Sequence, residues 1–222
     1  MLLWWMWTVL GLNMSCSMSS PSDLLRPDSD ATRQCHDWPG TDWSPSNHAT
    51  LQTFIATGDQ AIDLTLNTPN GSPVVLSELL ETAPVLLISG SATCPVYRRN
   101  EAAINKLAKR YRDQLHTVVV YTVEAHPKPG NGAYHGKSKP KNSSDRPDAS
   151  TWKKRASNAK DLRVPAATVV VDNLDGHQSN PYWCTYGTCP NCAFLIGQNG
   201  TVEAVHEWLD TKTMGQSINA LL

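Results

Sequence analysis

The sequence is poor in phenylalanine, with 2 residues, and carries almost no net charge, −1 at pH 7. A chain so nearly neutral has no long-range field to gather nucleic acid or an anionic membrane surface, so no nucleic-acid partner is expected. The apolar run at the N-terminus, Met1 to Leu12, falls short of the ~20 residues a helix needs to cross a bilayer. It also lacks a Lys or Arg ahead of it. There are no internal repeats and no long charge runs.

What is present begins with tryptophan, 8 residues, of which Trp4, Trp5 and Trp7 crowd the N-terminus. With small residues at Ser15 and Ser17, residues 1–17 read as a signal peptide or a short hydrophobic anchor. The expected location is the secretory pathway, either secreted and lumenal or held at a membrane through this segment. Residues 18–56, rich in Ser, Pro, Asp and Thr, read as a linker or arm. Residues 57–222 read as one domain. Cleavage after Ser17 leaves Cys35, Cys94, Cys184, Cys189 and Cys192, an odd number. Two bridges and a reactive Cys94 is the simplest arithmetic.

The domain opens with alternation over Ala61–Leu66, a turn signal at Asn70-Gly71 and a return strand over Pro73–Leu76, an N-terminal β-hairpin. Ser77 is placed to cap a short helix. The apolar runs Ala83–Ser89, His116–Val123 and Ala167–Val171 read as buried strands. Helices are expected from Pro95 to about Gln114, over Thr151–Leu162 and over Asp210–Leu222. The long polar stretch His126–Ser150 reads as a surface loop, Asp172–Pro190 as irregular, and Ala193–Val205 as a closing hairpin. An apolar strand, a turn with Cys94 and a helix starting at Pro95 give an α/β fold, a central mixed sheet flanked by helices. This is the layout of the thioredoxin-like fold, and the N-terminal hairpin points to its peroxiredoxin-like branch.

Cys94 is the candidate nucleophile. At a helix N-terminus, unpaired N–H groups and the helix dipole favour its thiolate. Position 97 is Tyr, so the turn carries no C-x-x-C dithiol, and Leu87 and Ser91 replace the Pro and Thr of a peroxide-binding turn. Cys189-Pro190-Asn191-Cys192 has three readings: half a zinc site, for which no second ligand pair is present; a local disulfide with neighbours such as Cys184 or Cys35; or a dithiol resolving an oxidised Cys94. No metal is expected.

The turn Gly90-Ser91-Ala92-Thr93-Cys94-Pro95 resembles the active-site motif of iodothyronine deiodinases, Gly-Ser-Cys-Thr-selenocysteine-Pro. Cys94 takes the selenocysteine position and Ala92 that of the preceding Cys. Tyr121-Thr122-Val123-Glu124-Ala125-His126 is similar to the family's Tyr-Ile-Glu-Glu-Ala-His, and His126 follows Cys94 at the family's own spacing. The resemblance runs over roughly Gly58 to Leu222. Cys189 or Cys192 as a resolving thiol is a reading of the C-x-x-C motif itself; the resemblance implies Cys94, His126 and Glu124 as catalytic residues, with Ser91, Thr93 and Tyr121 lining the site. It also implies an iodinated aromatic substrate, an external thiol reductant with no bound cofactor, and a homodimer. Two features depart from the family: Pro147-Asp148-Ala149-Ser150 lacks the family's second His, with His135 earlier in the loop, and Asn191-Cys192 stands for its Glu-Arg pair. The alternatives are a general thiol peroxidase or disulfide oxidoreductase and a non-catalytic secreted module.

Overall fold

The computed structural model describes residues 53–127, 146–147, 149–174 and 180–222. The N-terminal segment, His135 and most of the long loop lie outside them. Seven strands are described: β1 (Thr65–Asn67), β2 (Pro73–Val75), β3 (Val85–Gly90), β4 (His116–Tyr121), β5 (Thr168–Val171), β6 (Ala193–Ile196) and β7 (Val202–His206). They form one sheet in the order β2-β1-β5-β4-β3-β6-β7. β3, β4 and β5 run parallel, and the outer strands pair antiparallel. The expected mixed sheet and N-terminal hairpin are both present, with Asn67 opposite Pro73 across the Asn70-Gly71 turn.

Among the described residues five helices flank the sheet: α1 (Leu76–Leu80), α2 (Pro95–Tyr111), α3 (Trp152–Ala159), α4 (Pro181–Tyr186) and α5 (Thr211–Leu221). β3 is buried along its whole length, as its unbroken apolar run requires. Its side chains alternate between two cores, because successive residues of a strand face opposite sides. Val85 and Leu87 enter a cluster with Tyr182 and Tyr186 of α4 and Leu76 and Leu80 of α1. Leu86 and Ile88 enter a second cluster with Ile104 of α2 and Met214 and Ile218 of α5. α3 packs on this second side, its Ala156 and Ala159 against Ala92, Tyr121 and Val171. Small residues there bring the helix close to the strand that delivers the Glu124 loop.

Two expectations are corrected. Asp172–Pro190 is not wholly irregular, since α4 lies within it. Asp172, at the end of β5, supplies what this short helix lacks: its carboxylate accepts from the N–H groups of Tyr182 (2.9 Å) and Trp183 (3.0 Å). Burial raises Asp172 to about 6, against the pull of Arg155 and those N–H groups. Arg155 Nη1 also donates to Asp172 O (3.0 Å) and Asn180 Oδ1 (2.7 Å). Ser77 makes no cap for α1, whose N-cap is Val75. Its N–H and hydroxyl donate instead to the Asp63 carboxylate, at 2.9 and 2.7 Å. No helix among the described residues is long and apolar enough to cross a membrane.

Candidate active site

β3 ends at Gly90, and residues 91–94 turn the chain into α2. Cys94 is the N-cap of that helix, with Pro95 in its first turn. Its Sγ accepts from the N–H of Tyr97 at 3.4 Å. The next strand, β4, runs parallel to β3 in register, Gly90 opposite Tyr121. The loop leaving β4 therefore emerges beside the turn leaving β3, which brings the two sequence motifs together.

Glu124 joins them. Its Oε2 accepts from Thr93 N (3.0 Å) and Thr93 Oγ1 (2.7 Å). Its Oε1 accepts from the Tyr121 hydroxyl and from Asn158 Nδ2 (3.3 Å). Tyr121 in turn accepts from Ala92 N at 3.1 Å. The Thr93 hydroxyl also accepts from His126 N (3.0 Å), and Ser91 Oγ accepts from Ala125 N (3.3 Å). Five of the predicted residues, Ser91, Thr93, Tyr121, Glu124 and the backbone of His126, thus form one hydrogen-bonded unit around the turn that holds Cys94. Each described bond to the Glu124 side chain is one it accepts, the pattern of a carboxylate that fixes geometry. That makes it a positioning residue for the turn.

Two members of this unit escape sequence reasoning. Asn158 reaches Glu124 from α3. Arg146 donates to Asn158 Oδ1 (3.0 Å) and pairs with Asp161, extending the network to the surface. Neither position carries a motif; for Asn158 the available signal is polar spacing on an amphipathic helix, and Arg146 lies in the loop before it.

The electrostatics of Cys94 differ from the expectation. Cys94 as a residue is 1% exposed. Burial pushes the thiol up to about 11, outweighing the N–H groups of Tyr97 and Val96; Glu124 adds to the rise and Arg99 opposes it. The helix N-terminus acts in the expected direction, but desolvation of the thiolate is larger. Alkylation of Cys94 should therefore keep rising about tenfold per pH unit above the range where an ordinary thiol levels off, up to about pH 11. Iodoacetamide labelling of the Cys94 peptide, followed by mass spectrometry across pH, measures this. A plateau near pH 8 would contradict the burial argument. His126 is half-buried, and desolvation lowers its pKa.

The remaining cysteines divide differently from the two-bridge arithmetic. Cys184 is disulfide-bonded. Cys94, Cys189 and Cys192 are not. Cys189 and Cys192 pack in the cluster on the sheet face opposite Cys94, so the sheet lies between them and the site they were expected to resolve. Among the described residues no group of His, Cys, Asp or Glu could hold a metal ion.

A buried parallel strand, a turn with one cysteine and a helix capped by that cysteine define a thioredoxin-fold protein with a one-cysteine site. Solved structures agree on the fold. A Chlorobium tepidum protein, provisionally described as the thiol:disulfide interchange protein DsbE, is 19% identical with TM-score 0.52, covering 78% of this chain and 99% of its own. The exposed lipoprotein thioredoxin of Streptococcus pneumoniae is 17% identical with TM-score 0.51, covering 72% and 100%. A Bacteroides thetaiotaomicron protein, provisionally described as a protein disulfide isomerase, is 17% identical with TM-score 0.54, covering 78% and 94%. No curated protein sequence matches the chain significantly. The sequence model of iodothyronine deiodinase matches residues 55–203, more than half of the chain. The chain belongs to the iodothyronine deiodinase family.

Proposed function

We propose that the protein is a thiol-dependent oxidoreductase that removes iodide reductively from an iodinated phenol, such as an iodothyronine or iodotyrosine. One observation carries this reading: the Thr93 hydroxyl ties the Cys94 turn to both Glu124 and His126. The two family motifs thereby become one site. The Cys94 thiolate attacks the iodine of the aryl iodide. The S–I bond forms as the C–I bond breaks, and the ring carbon takes a proton from the imidazolium of His126. A lowered pKa suits His126 to give that proton up readily. An external thiol then attacks the sulfenyl iodide, releasing iodide and leaving a mixed disulfide on Cys94. A second thiol restores the Cys94 thiol and leaves as the oxidised disulfide.

No bound cofactor enters this sequence; the electrons come from the external thiol. The disulfide at Cys184 supports a place in the secretory pathway, where such bonds persist. The homodimer is carried by the family resemblance alone.

The test is iodide release by the full chain with dithiothreitol and a panel of iodothyronines and iodotyrosines, beside Cys94→Ala. Release by the parent that falls to background in Cys94→Ala is the expected outcome. Absence of release from every substrate, with a Cys94 thiol that still reacts with peroxide, would replace this reading by a general thiol oxidoreductase.

A further inference from the structure

Cys189-Pro190-Asn191-Cys192 forms a turn into β6. A four-residue turn brings its ends within ~7 Å, which overlaps the Cα separation of roughly 4.4–6.8 Å that a disulfide spans. The turn is fixed from both sides. Asn191 Oδ1 accepts from Asn100 Nδ2 of α2 (3.0 Å), and its backbone O accepts from Leu209 N (2.9 Å). Its Nδ2 reaches Ser89 O at 3.4 Å.

Both sulfurs belong to fully buried residues. Ser89 Oγ lies 3.2 Å from Cys192 Sγ and accepts from Cys192 N at 2.9 Å. The Ser89 hydroxyl has two other acceptors, Cys189 O at 2.7 Å and Cys192 O at 3.4 Å. It can therefore turn from a carbonyl to the sulfur when charge develops there. The Tyr182 hydroxyl stands 3.9 Å from the same sulfur. A buried pair of thiols, one facing two hydroxyls, is built for more than filling space. Apolar side chains would pack there without polar partners.

We propose that Cys189 and Cys192 are a second redox centre, independent of Cys94, that reduces small hydroperoxides and closes to a Cys189–Cys192 disulfide. The chemistry divides the roles. Burial opposes charge on Cys192, but hydrogen bonds from Cys189, Ser89 and Tyr182 outweigh it and hold the thiol below its usual range. The hydrogen bond to Cys192, with burial, holds Cys189 far above it, so Cys189 keeps its proton. The Cys192 thiolate attacks one oxygen of the hydroperoxide, the O–O bond breaks, and the departing oxygen takes a proton to leave as water or an alcohol. Cys192 is then a sulfenic acid. Cys189 attacks that sulfur and loses its proton, the S–O bond breaks, and a water leaves. Two thiols lose two electrons in all, and one peroxide gains them. Hydrogen peroxide, small and uncharged, suits a site closed to bulkier oxidants.

The test uses the full chain carrying Cys94→Ala, one equivalent of hydrogen peroxide, then iodoacetamide. Mass spectrometry reads the chymotryptic segment from Gly187 to Phe194. The expected result is loss of both alkylated thiols with a mass lower by two hydrogens, reversed by dithiothreitol. Cys189→Ser in the same background should stop at a Cys192 sulfenic acid that dimedone traps. The parent chain, run in parallel, covers any failure of Cys94→Ala to fold and should give the same segment. Both thiols still alkylated at a peroxide dose that oxidises Cys94 would overturn the proposal. So would a disulfide joining Cys94 to either residue in the parent chain, which would make the turn a resolving pair.

Discussion

Replacing Glu124 by Ala is expected to destabilise the protein by about 3–5 kcal/mol and to abolish iodide release even though Cys94 is retained. Glu124 as a residue is 1% exposed. It accepts from Thr93 N, Thr93 Oγ1, the Tyr121 hydroxyl and Asn158 Nδ2. Removing it leaves buried donors facing a cavity that cannot satisfy them, and each such donor costs about 1–3 kcal/mol. The loss concentrates on the Cys94 turn, because Thr93 contributes two of the four donors. Glu124→Gln separates positioning from charge. It keeps one acceptor oxygen but turns an NH2 towards existing donors, so stability should recover in part. Thermal unfolding together with kcat and KM for iodide release checks both variants. If Glu124→Ala unfolds like the parent chain, the carboxylate does not hold the turn.

Gly90→Ala should also be damaging, though less so, and through packing rather than hydrogen bonding. A Cβ at Gly90 would stand 2.4 Å from Cε2 and 2.5 Å from Cδ2 of Tyr97. Tyr97 is fully buried and its hydroxyl has no hydrogen-bond partner among the described residues, so packing alone holds the ring. The ring cannot swing to solvent, and the turn or the helix must move. Overpacking of this kind costs about 1–3 kcal/mol. The same shift pulls the Tyr97 N–H away from Cys94 Sγ. Cys94 should then alkylate at a changed rate while the protein unfolds earlier. Tyr97→Ala supplies the control: if the ring is the obstacle, Gly90→Ala should be less harmful in that background than alone. Additive effects in the double variant would show that the strain lies elsewhere.

Much of this architecture is legible in the chain because the signals are local. The apolar runs of β3 and β4, the Asn70-Gly71 turn and Pro95 after Cys94 each state their structure within a few residues. The pairing of Cys94 with the Glu124 loop also follows from local order, since parallel neighbouring strands end on the same side. What is not legible depends on distant partners. α4 is missed because Pro181–Tyr186 is six residues of aromatic and β-branched character with no cap of its own; its cap is Asp172, across a loop. Ser77 carries a capping signature, yet Asp63 takes its donors. The lowered thiol pKa expected at Cys94 fails for the same reason. The helix N-terminus is visible in sequence, but the depth of burial that outweighs it is not.

The two ends of the sheet carry a consequence for self-association. A free strand edge invites another chain to pair with it, and proteins blunt such edges. At one end β2 is three residues long and begins with Pro73, which has no N–H to offer. At the other, the chain before β1 lies against the start of β7: Gly58 N donates to Val202 O (2.8 Å), and Val202 N donates to Asp59 O (2.9 Å). Gln60 and Thr201 form a further bridge there. β2 and the start of β7 are thus poor templates for strand addition. At these positions extension of the sheet by a second copy is disfavoured, and at high concentration the folded protein should resist edge-paired growth there.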